Sequence, residues 1–323
     1  MKYRIFGRTG EQASEIGVGT WTMGGMWGPR EDREAINSML CALDQGVNFI
    51  DTAAVYGDGH SESLIASAFK EAKKRVFVAT KVPPKNFQWP ARHDVSVSET
   101  FPADHIIKST EQSLRNLRTD CVDLQQLHVW SDSWLATTDW LDAVDMLKKQ
   151  GKIRFFGVSI NDHEPDSALK MVASGRIDAV QVIYNIFDQT PEEALFPLCQ
   201  KHNVAVIVRV PFDEGSLAGA LTPDHQFHKK DWRRHYFTPE RLKETCERVD
   251  KLKFLVRDEI KTMAQAALKF CLSHPTVSTV IPGMRTKKHV DDNCAVSDGK
   301  LLSSEELQEL KNHAWFRNFY PVW

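Results

Sequence analysis

The sequence lacks any run of eighteen apolar residues, and its N-terminus has no apolar segment of the length that a signal peptide requires. Membrane-spanning helices and secretory leaders both need such segments, so we expect neither membrane insertion nor secretion. The sequence also lacks a basic surplus, because 41 lysines and arginines face 43 aspartates and glutamates. Without excess positive charge to attract phosphate groups, nucleic acid is not an expected partner.

Close cysteine pairs are absent as well: the six cysteines are scattered and form no Cys-x-x-Cys motif. Structural metal sites and redox sites use close spacings, so the pattern predicts reduced thiols, a cytoplasmic location and no bound metal. His225 and His228 lie near each other, but no cluster of cysteines or carboxylates completes a metal site around them.

Short apolar or β-branched runs alternate with amphipathic helical segments along most of the 323 residues. Nearly continuous apolar runs are typical of parallel strands that are covered on both faces. Eight strand–helix units of about 40 residues each close into a (β/α)8 TIM barrel when their crossovers are right-handed. We therefore predict an α/β protein with one barrel domain over residues 1–323 and strands at 14–21, 47–51, 75–81, 121–130, 152–159, 178–185, 203–212 and 276–283.

Three segments lie outside the repeat. Residues 2–17 predict a small N-terminal hairpin that covers the barrel floor, and Ser303 with Glu306 forms a capping box that begins an extra C-terminal helix. Residues 213–239 show no clear period. A long aperiodic segment within a compact domain is usually a lid or a binding loop.

A doubly wound dinucleotide-binding domain is the competing architecture. It requires a Gly-x-Gly-x-x-Gly turn after the first strand, followed by a helix. Gly17 and Gly19 supply two of these glycines, but the third is missing and the residues WTMGGMWGP follow. The pattern therefore favours the barrel.

Ionisable side chains are concentrated where the predicted strands end. Asp51, Lys81 and His128 end three consecutive strands, and Tyr56 follows in the loop after Asp51. Each alone has an ordinary structural explanation, but the carboxyl ends of barrel strands surround one pocket. A phenol has a pKa of about 10, and a nearby ammonium favours its ionised form. We expect Lys81, paired with Asp51, to lower the pKa of Tyr56 and make it a proton donor for carbonyl reduction, beside a histidine that orients the substrate oxygen.

The stretch GVNFIDTAAVYGDGHSE resembles the signature of the aldo-keto reductases. ATKV around Lys81, LQQLH around His128 and IPGMRTKKHVDDN near the C-terminus occur in the order expected for that family. The resemblance implies an NADPH-dependent reductase of small aldehydes or ketones, with hydride transfer from C4 of the nicotinamide. In this family the tyrosine is the general acid, the lysine and aspartate tune it, and the histidine positions the carbonyl, which implies these roles for Tyr56, Lys81, Asp51 and His128.

The same resemblance implies a set of residues that bind NADP(H) at the barrel mouth. They are Thr20, Trp21 and Asp51 at the nicotinamide ribose, Ser159 and Gln181 at the carboxamide, Arg209, Pro211 and Phe212 at the nicotinamide ring, Gly215 and Leu217 at the pyrophosphate, and Gly283, Arg285, Thr286, His289 and Asn293 at the adenosine phosphate end. A guanidinium suits the 2′-phosphate because its planar donors match phosphate oxygens. Arg285 is the expected reader of that group.

One residue departs from the family pattern. The usual Gly-Val-Ser-Asn occurs here as Gly157-Val158-Ser159-Ile160, with Asn161 one position later. Ile160 has no hydrogen-bonding side chain. Either Asn161 turns in towards the carboxamide, or Ser159 and Gln181 suffice.

Four aromatic residues follow the first, third and fourth strands and could form the wall of an apolar substrate pocket: Trp27, Phe87, Trp89 and Trp130. Packing between barrel loops is the alternative role for them. Two other functions stay open at this point: a Schiff-base lyase in which Lys81 is the nucleophile, and a non-catalytic NADP-binding subunit.

Overall fold

The computed structural model describes residues 1–25 and 31–320. Its ten strands are β1 (Tyr3–Ile5), β2 (Gln12–Ser14), β3 (Val18–Gly19), β4 (Phe49–Asp51), β5 (Phe77–Val82), β6 (Val122–Leu127), β7 (Ile153–Ser159), β8 (Ala179–Ile183), β9 (Ala205–Arg209) and β10 (Val277–Val280). β1 and β2 form an antiparallel hairpin, and β3 to β10 form one parallel sheet whose order follows the chain.

The first and last strands of this sheet meet, so the sheet closes into a barrel. The Gly17 N–H donates to the Val280 carbonyl at 2.8 Å, and the Gly19 N–H donates to the Pro282 carbonyl at 3.0 Å. A Cβ at Gly19 would lie 2.5 Å from the Ile281 carbonyl oxygen, so only glycine allows this approach. The two glycines considered for a dinucleotide turn therefore close the barrel.

Helices follow most of the strands and cover the outside of the sheet. They are α1 (Asp32–Asp44), α2 (His60–Ala72), α3 (Val97–Thr100), α4 (Ala103–Leu117), α5 (Asp139–Lys149), α6 (Leu169–Ala173), α7 (Leu195–His202), α8 (Arg233–Tyr236), α9 (Pro239–Asp250), α10 (Met263–Ser273), α11 (Lys287–Cys294) and α12 (Ser304–Lys311). The capping box of Ser303 and Glu306 begins α12, as predicted. No helix in the described ranges is long and apolar enough to cross a membrane.

The hairpin covers the lower opening of the barrel. Phe6, at the end of β1, is fully buried, and its ring centroid lies 5.4 Å from that of Phe49 and 5.3 Å from that of Phe77. These rings fill the lower interior, so the opposite end, where the strands reach their carboxyl termini, is left for a site. The predicted TIM barrel with its N-terminal hairpin and C-terminal helix is confirmed.

Two predicted segments differ in detail. Residues 14–21 hold the end of β2, a bridge from Ile16 to Val280 and the short β3, because the chain leaves the hairpin before it joins the barrel. The aperiodic 213–239 contains a 3-10 helix (Asp213–Ala218) and the short α8. Both lie over the barrel mouth or beside it, since Glu214, Gly215 and Trp232 line the cavity there.

Candidate active site

The barrel mouth contains a cavity of about 530 Å³. Asp51 ends β4, Lys81 is the penultimate residue of β5, His128 directly follows β6, and Tyr56 lies in the loop between β4 and α2. All four side chains line this cavity. The structure therefore brings together the residues that the strand ends predicted.

Lys81 and Asp51 form a buried ion pair. The Lys81 Nζ donates to Asp51 Oδ1 at 2.5 Å and to the Thr52 carbonyl at 2.7 Å. The two residues are 1% and 2% exposed, so water contributes almost nothing to solvating either charge. Burial raises the pKa of Asp51 and lowers the pKa of Lys81, while each charge opposes the shift of its partner. The pair depends on its own attraction, on the Thr52 carbonyl and on the Gln126 amide, which donates to Asp51 Oδ2 at 3.5 Å.

Tyr56 lies above this pair, with the Lys81 Nζ 5.2 Å from the centroid of its ring. Burial raises the pKa of the phenol above its ordinary value; the Asp51 carboxylate adds to the rise and the Arg209 guanidinium opposes it. The expected net lowering of this pKa is wrong in this structure, because burial of the phenol outweighs the nearby Lys81 ammonium, whose charge is partly offset by the Asp51 carboxylate at 2.5 Å. Tyr56 therefore keeps its proton at neutral pH and is available as a donor.

His128 is a neutral imidazole. Burial lowers its pKa well below the ordinary value, and the cations of Lys81 and Arg209 lower it further. Its ring lies between two aromatic rings: the centroid of Tyr56 is 5.8 Å away and that of Trp89 is 5.9 Å away, both in edge-to-face contacts. Its Nδ1 is buried without a hydrogen-bond partner among the described residues. The orientation of the ring therefore depends on packing.

Most of the residues expected to bind a dinucleotide line the same cavity. Besides Asp51 they are Thr20, Trp21, Ser159, Gln181, Arg209, Pro211, Phe212, Gly215 and Gly283. The Gln181 Oε1 is buried and has no partner within the described ranges, so an acceptor is available for a carboxamide N–H. Leu217 is fully buried and does not line the cavity, so its side chain cannot contact a ligand there.

A second group lies beyond Gly283, on the turn after β10 and on α11. Thr286 is the N-cap of α11 and accepts from the His289 N–H at 3.2 Å, and the Arg285 N–H donates to His289 Nδ1 at 3.3 Å. Asn293 is buried, and its Nδ2 has no partner in the part of the chain that the structure describes. A helix N-terminus beside a guanidinium suits a phosphate, and the unpartnered amide suits a purine acceptor.

The arginine at the end of β9 is held in place. The Arg209 Nη2 donates to the Ile160 carbonyl at 3.0 Å and to Asp162 Oδ1 at 2.7 Å. Ile160 itself is buried in the core, and Asn161 is bound to the backbone of Ala91. Both residues line the cavity, but Asn161 Nδ2 donates to the Ala91 carbonyl and to Glu164 Oε2, so neither of its N–H groups is free for a carboxamide.

The four aromatic residues expected around the substrate lie in different places. Trp89 lines the cavity, whereas Phe87 is 63% exposed, lies outside the lining and contacts Trp89 at 6.2 Å. Trp130 is fully buried and contacts the rings of Trp134 and Trp140, so it does not form part of the cavity wall as expected. Val129 still lines the cavity, but the Trp130 indole packs outside it, against Trp134 and against Trp140 of α5. Trp27 lies outside the described residues.

Sequence reasoning missed one wall of the cavity. Trp232, Asn318 and Tyr320 line it, and the rings of Trp232 and Tyr320 stack at 5.7 Å with an interplanar angle of 16°. The Tyr320 O–H donates to the Glu214 carboxylate. Burial raises the pKa of Glu214 to about 7. The aperiodic loop gave a signal for Trp232 and Glu214, but nothing in the sequence pattern placed the C-terminal residues across the mouth.

Comparisons with known proteins show what the whole chain is similar to. The model of the Aldo/keto reductase family matches residues 15–314. The chain is 32% identical over 316 residues to aldo-keto reductase YhdN of Bacillus subtilis, covering 96% of this chain and 92% of that protein. It is 27% identical over 327 residues to the NADH-specific methylglyoxal reductase of Escherichia coli, covering 96% and 99% of the two chains. The structure of glycerol dehydrogenase AKR11B4 from Gluconobacter oxydans superposes with a TM-score of 0.77 at 28% identity, covering 94% of this chain and 92% of that one.

Proposed function

This chain belongs to the aldo/keto reductase family, which makes it an oxidoreductase that acts on carbonyl compounds, and we propose that it is an NADPH-dependent reductase of small aldehydes or ketones. The observation that carries the proposal is that Asp51, Tyr56, Lys81 and His128 line one cavity at the barrel mouth. A protonated phenol and a neutral imidazole in one pocket suit a reaction in which a carbonyl oxygen becomes a hydroxyl group.

In this mechanism the reduced nicotinamide supplies a hydride to the carbonyl carbon when it is bound. Tyr56 donates its phenolic proton to the carbonyl oxygen, so that hydride and proton together give the alcohol. The raised pKa keeps that proton on the phenol until negative charge develops on the substrate oxygen. The Lys81 ammonium, 5.2 Å from the ring centroid, stabilises the phenolate that remains, and Asp51 keeps the ammonium charged and fixed.

His128 has a different part. Its pKa is lowered by burial, so it stays neutral and does not compete with Tyr56 as the acid. A neutral imidazole ring with one N–H can donate a hydrogen bond to the same carbonyl oxygen and orient it towards the phenol.

For the cofactor, we assign Ser159 and Gln181 to the carboxamide and the guanidinium of Arg209 to the face of the nicotinamide ring. The remaining assignments are Thr20, Trp21 and Asp51 at the ribose, Pro211, Phe212 and Gly215 along the nicotinamide and pyrophosphate, Gly283, Arg285 and Thr286 at the 2′-phosphate, and His289 and Asn293 at the adenine. Leu217 receives no side-chain contact because it is buried away from the cavity.

Tyr56→Phe tests the proposal. Loss of a positioned general acid lowers turnover by about 10²- to 10⁴-fold. We expect that loss in kcat/KM for an aromatic aldehyde, followed by NADPH oxidation, with the Kd of NADPH unchanged because the phenol ring is retained. Tyr3→Phe is the matched control, since Tyr3 lies in the hairpin at the other end of the barrel, where its hydroxyl donates to the Gly46 carbonyl. Full activity in Tyr56→Phe would remove Tyr56 as the acid.

Two further experiments distinguish the reductase from the two other functions considered from the sequence. A lyase that used Lys81 would form an adduct with its substrate that borohydride traps on that lysine, whereas a reductase would not. The Lys81 Nζ already donates to Asp51 and to the Thr52 carbonyl, which favours an electrostatic role for the ammonium over a nucleophilic one. A non-catalytic subunit would bind NADPH without steady-state oxidation by any aldehyde.

A further inference from the structure

The loop after β5, which carries Trp89, is bound to a side-chain amide on the loop after β7. Asn161 follows β7 and is 4% exposed. The Ala91 N–H donates to Asn161 Oδ1 at 2.9 Å, and Asn161 Nδ2 donates back to the Ala91 carbonyl at 3.1 Å. The amide thus pairs with one residue of backbone at two points, which fixes both its distance and its direction.

Every strong hydrogen-bonding position of this amide except one oxygen lone pair is in use. The second N–H of Nδ2 donates to Glu164 Oε2 at 2.8 Å, within the same loop. Asn161 therefore has no donor left for a carboxamide oxygen. The side chain of its neighbour Ile160 has no donor either, so neither side chain can donate to a carboxamide although both line the cavity.

The two hydrogen bonds between Asn161 and Ala91 fix the part of the cavity wall that lies next to His128. Ala91 directly follows Trp89 and Pro90, which both line the cavity. The Trp89 indole contacts the His128 imidazole edge-to-face at 5.9 Å and 89°. Because His128 Nδ1 has no hydrogen-bond partner among the described residues, the ring is oriented by Tyr56 on one side and Trp89 on the other.

From these contacts we infer that Asn161 is a positioning residue for carbonyl reduction: it holds Trp89 against His128, and through it the imidazole that orients the substrate oxygen. The inference rests on the proposed function. The Asn161 side chain acts on the position of Trp89 and His128. The affinity for the cofactor depends on Ser159, Gln181 and the residues beyond Gly283.

The test is Asn161→Ala measured beside Trp89→Ala and the double variant. Small displacements of a positioned group cost roughly one to two orders of magnitude in rate, so we expect kcat/KM for a neutral aldehyde to fall about tenfold in Asn161→Ala. The Kd of NADPH stays within about twofold of the parent value, since the amide is fully engaged with Ala91 and Glu164. In the Trp89→Ala background the same substitution adds less than about twofold, because residues that act through one another are not additive.

Asn86→Ala is the matched control, because Asn86 lies in the same loop, contacts Gln88 and Thr100 and does not line the cavity. It leaves kcat/KM unchanged. Asn161→Asp keeps an oxygen for the Ala91 N–H but places its second oxygen against the Ala91 carbonyl and Glu164 Oε2, so its kcat/KM falls at least as far as that of Asn161→Ala. The inference is overturned if Asn161→Ala weakens NADPH binding as much as it lowers kcat/KM. It is also overturned if the tenfold loss of kcat/KM persists in the Trp89→Ala background.

Hydrogen exchange of the Ala91 amide gives a readout that needs no activity. The amide donates to Asn161 Oδ1, so its exchange quickens at least tenfold in Asn161→Ala and stays slow in Asn86→Ala. Unchanged exchange would show that the attachment does not hold the loop. If instead exchange quickens while the parent protein reduces no carbonyl, the proposed function fails and the attachment stands.

Discussion

Replacing Asp51 by asparagine removes one charge of a buried ion pair while keeping the size and shape of the side chain. Its partner Lys81 is 1% exposed, and its ammonium then keeps only one of its two acceptors, the Thr52 carbonyl at 2.7 Å. Burial has already lowered the pKa of Lys81, and the carboxylate is the main group that opposes this shift. The variant therefore leaves an ammonium without compensation in a site that water does not reach.

Breaking a buried pair in this way destabilises a protein by about 3–5 kcal/mol, whereas replacing both partners together costs much less. We expect Asp51→Asn and Lys81→Met each to lose about that free energy of unfolding. The double variant Asp51→Asn/Lys81→Met then loses about 2–3 kcal/mol less than the sum of the two single losses, since the two residues are in direct contact.

The loss in Asp51→Asn depends on pH, and its sign follows from the lysine. With the folded pKa of Lys81 depressed below its unfolded value, the unfolded chain binds more protons between the two pKa values. The free energy of unfolding then rises with pH, by up to about 1.4 kcal/mol per pH unit. Below the unfolded pKa of lysine, Asp51→Asn therefore gains stability with rising pH more steeply than the parent protein.

Urea unfolding followed by tryptophan fluorescence at several pH values measures these quantities. The exposed pair of Asp104 and Lys108, at 3.1 Å, provides the control: Asp104→Asn costs below about 0.5 kcal/mol because water solvates both groups. Additive losses in the double variant, or a pH profile of Asp51→Asn parallel to that of the parent, would refute the reasoning.

Two further predictions concern the ends of the cleft. Arg285→Ala weakens NADPH binding about 10- to 100-fold, as expected for a lost charge-assisted hydrogen bond, and hardly changes NADH binding. Lys288→Ala is the control, because the Lys288 ammonium pairs with Asp292 at 2.5 Å. Equal losses of affinity for both cofactors would exclude Arg285 as the reader of the 2′-phosphate. Burial raises the pKa of Glu214 to about 7, so the folded state holds that proton more tightly and stability falls by about 3 kcal/mol between pH 4.5 and pH 7. Glu214→Gln removes this fall, and the same pH dependence of urea unfolding in both proteins would show that Glu214 is not its source.

The barrel could be predicted because its signal is local. Each strand is a short apolar run, and the carboxyl ends of consecutive strands are neighbours in space. Asp51, Lys81 and His128 follow from that rule alone, since they end consecutive strands of one sheet. Tyr56 follows because a short loop cannot carry it far from Asp51.

Residues that reach the cavity from distant segments gave no such signal. Tyr320 lies beyond the last predicted helix, and its place over the mouth results from stacking on Trp232 and from a hydrogen bond to Glu214. Trp130 shows the opposite error: its position after a strand end predicted a pocket wall, but its indole packs against Trp134 and Trp140. The direction of a side chain after a strand ends depends on tertiary packing, which periodicity does not contain.

The charged residues of the site show which electrostatic properties can be predicted from a sequence. The residues alone gave the sign of each charge and the pairing of Lys81 with Asp51, and from these we expected an acidified phenol. The sign of the shift depends on burial, which costs an ionised phenol its hydration, and on the carboxylate that compensates the ammonium at 2.5 Å. In the proposed mechanism Tyr56 needs no lowered pKa, because burial keeps the proton on the phenol until negative charge develops on the substrate oxygen beside it.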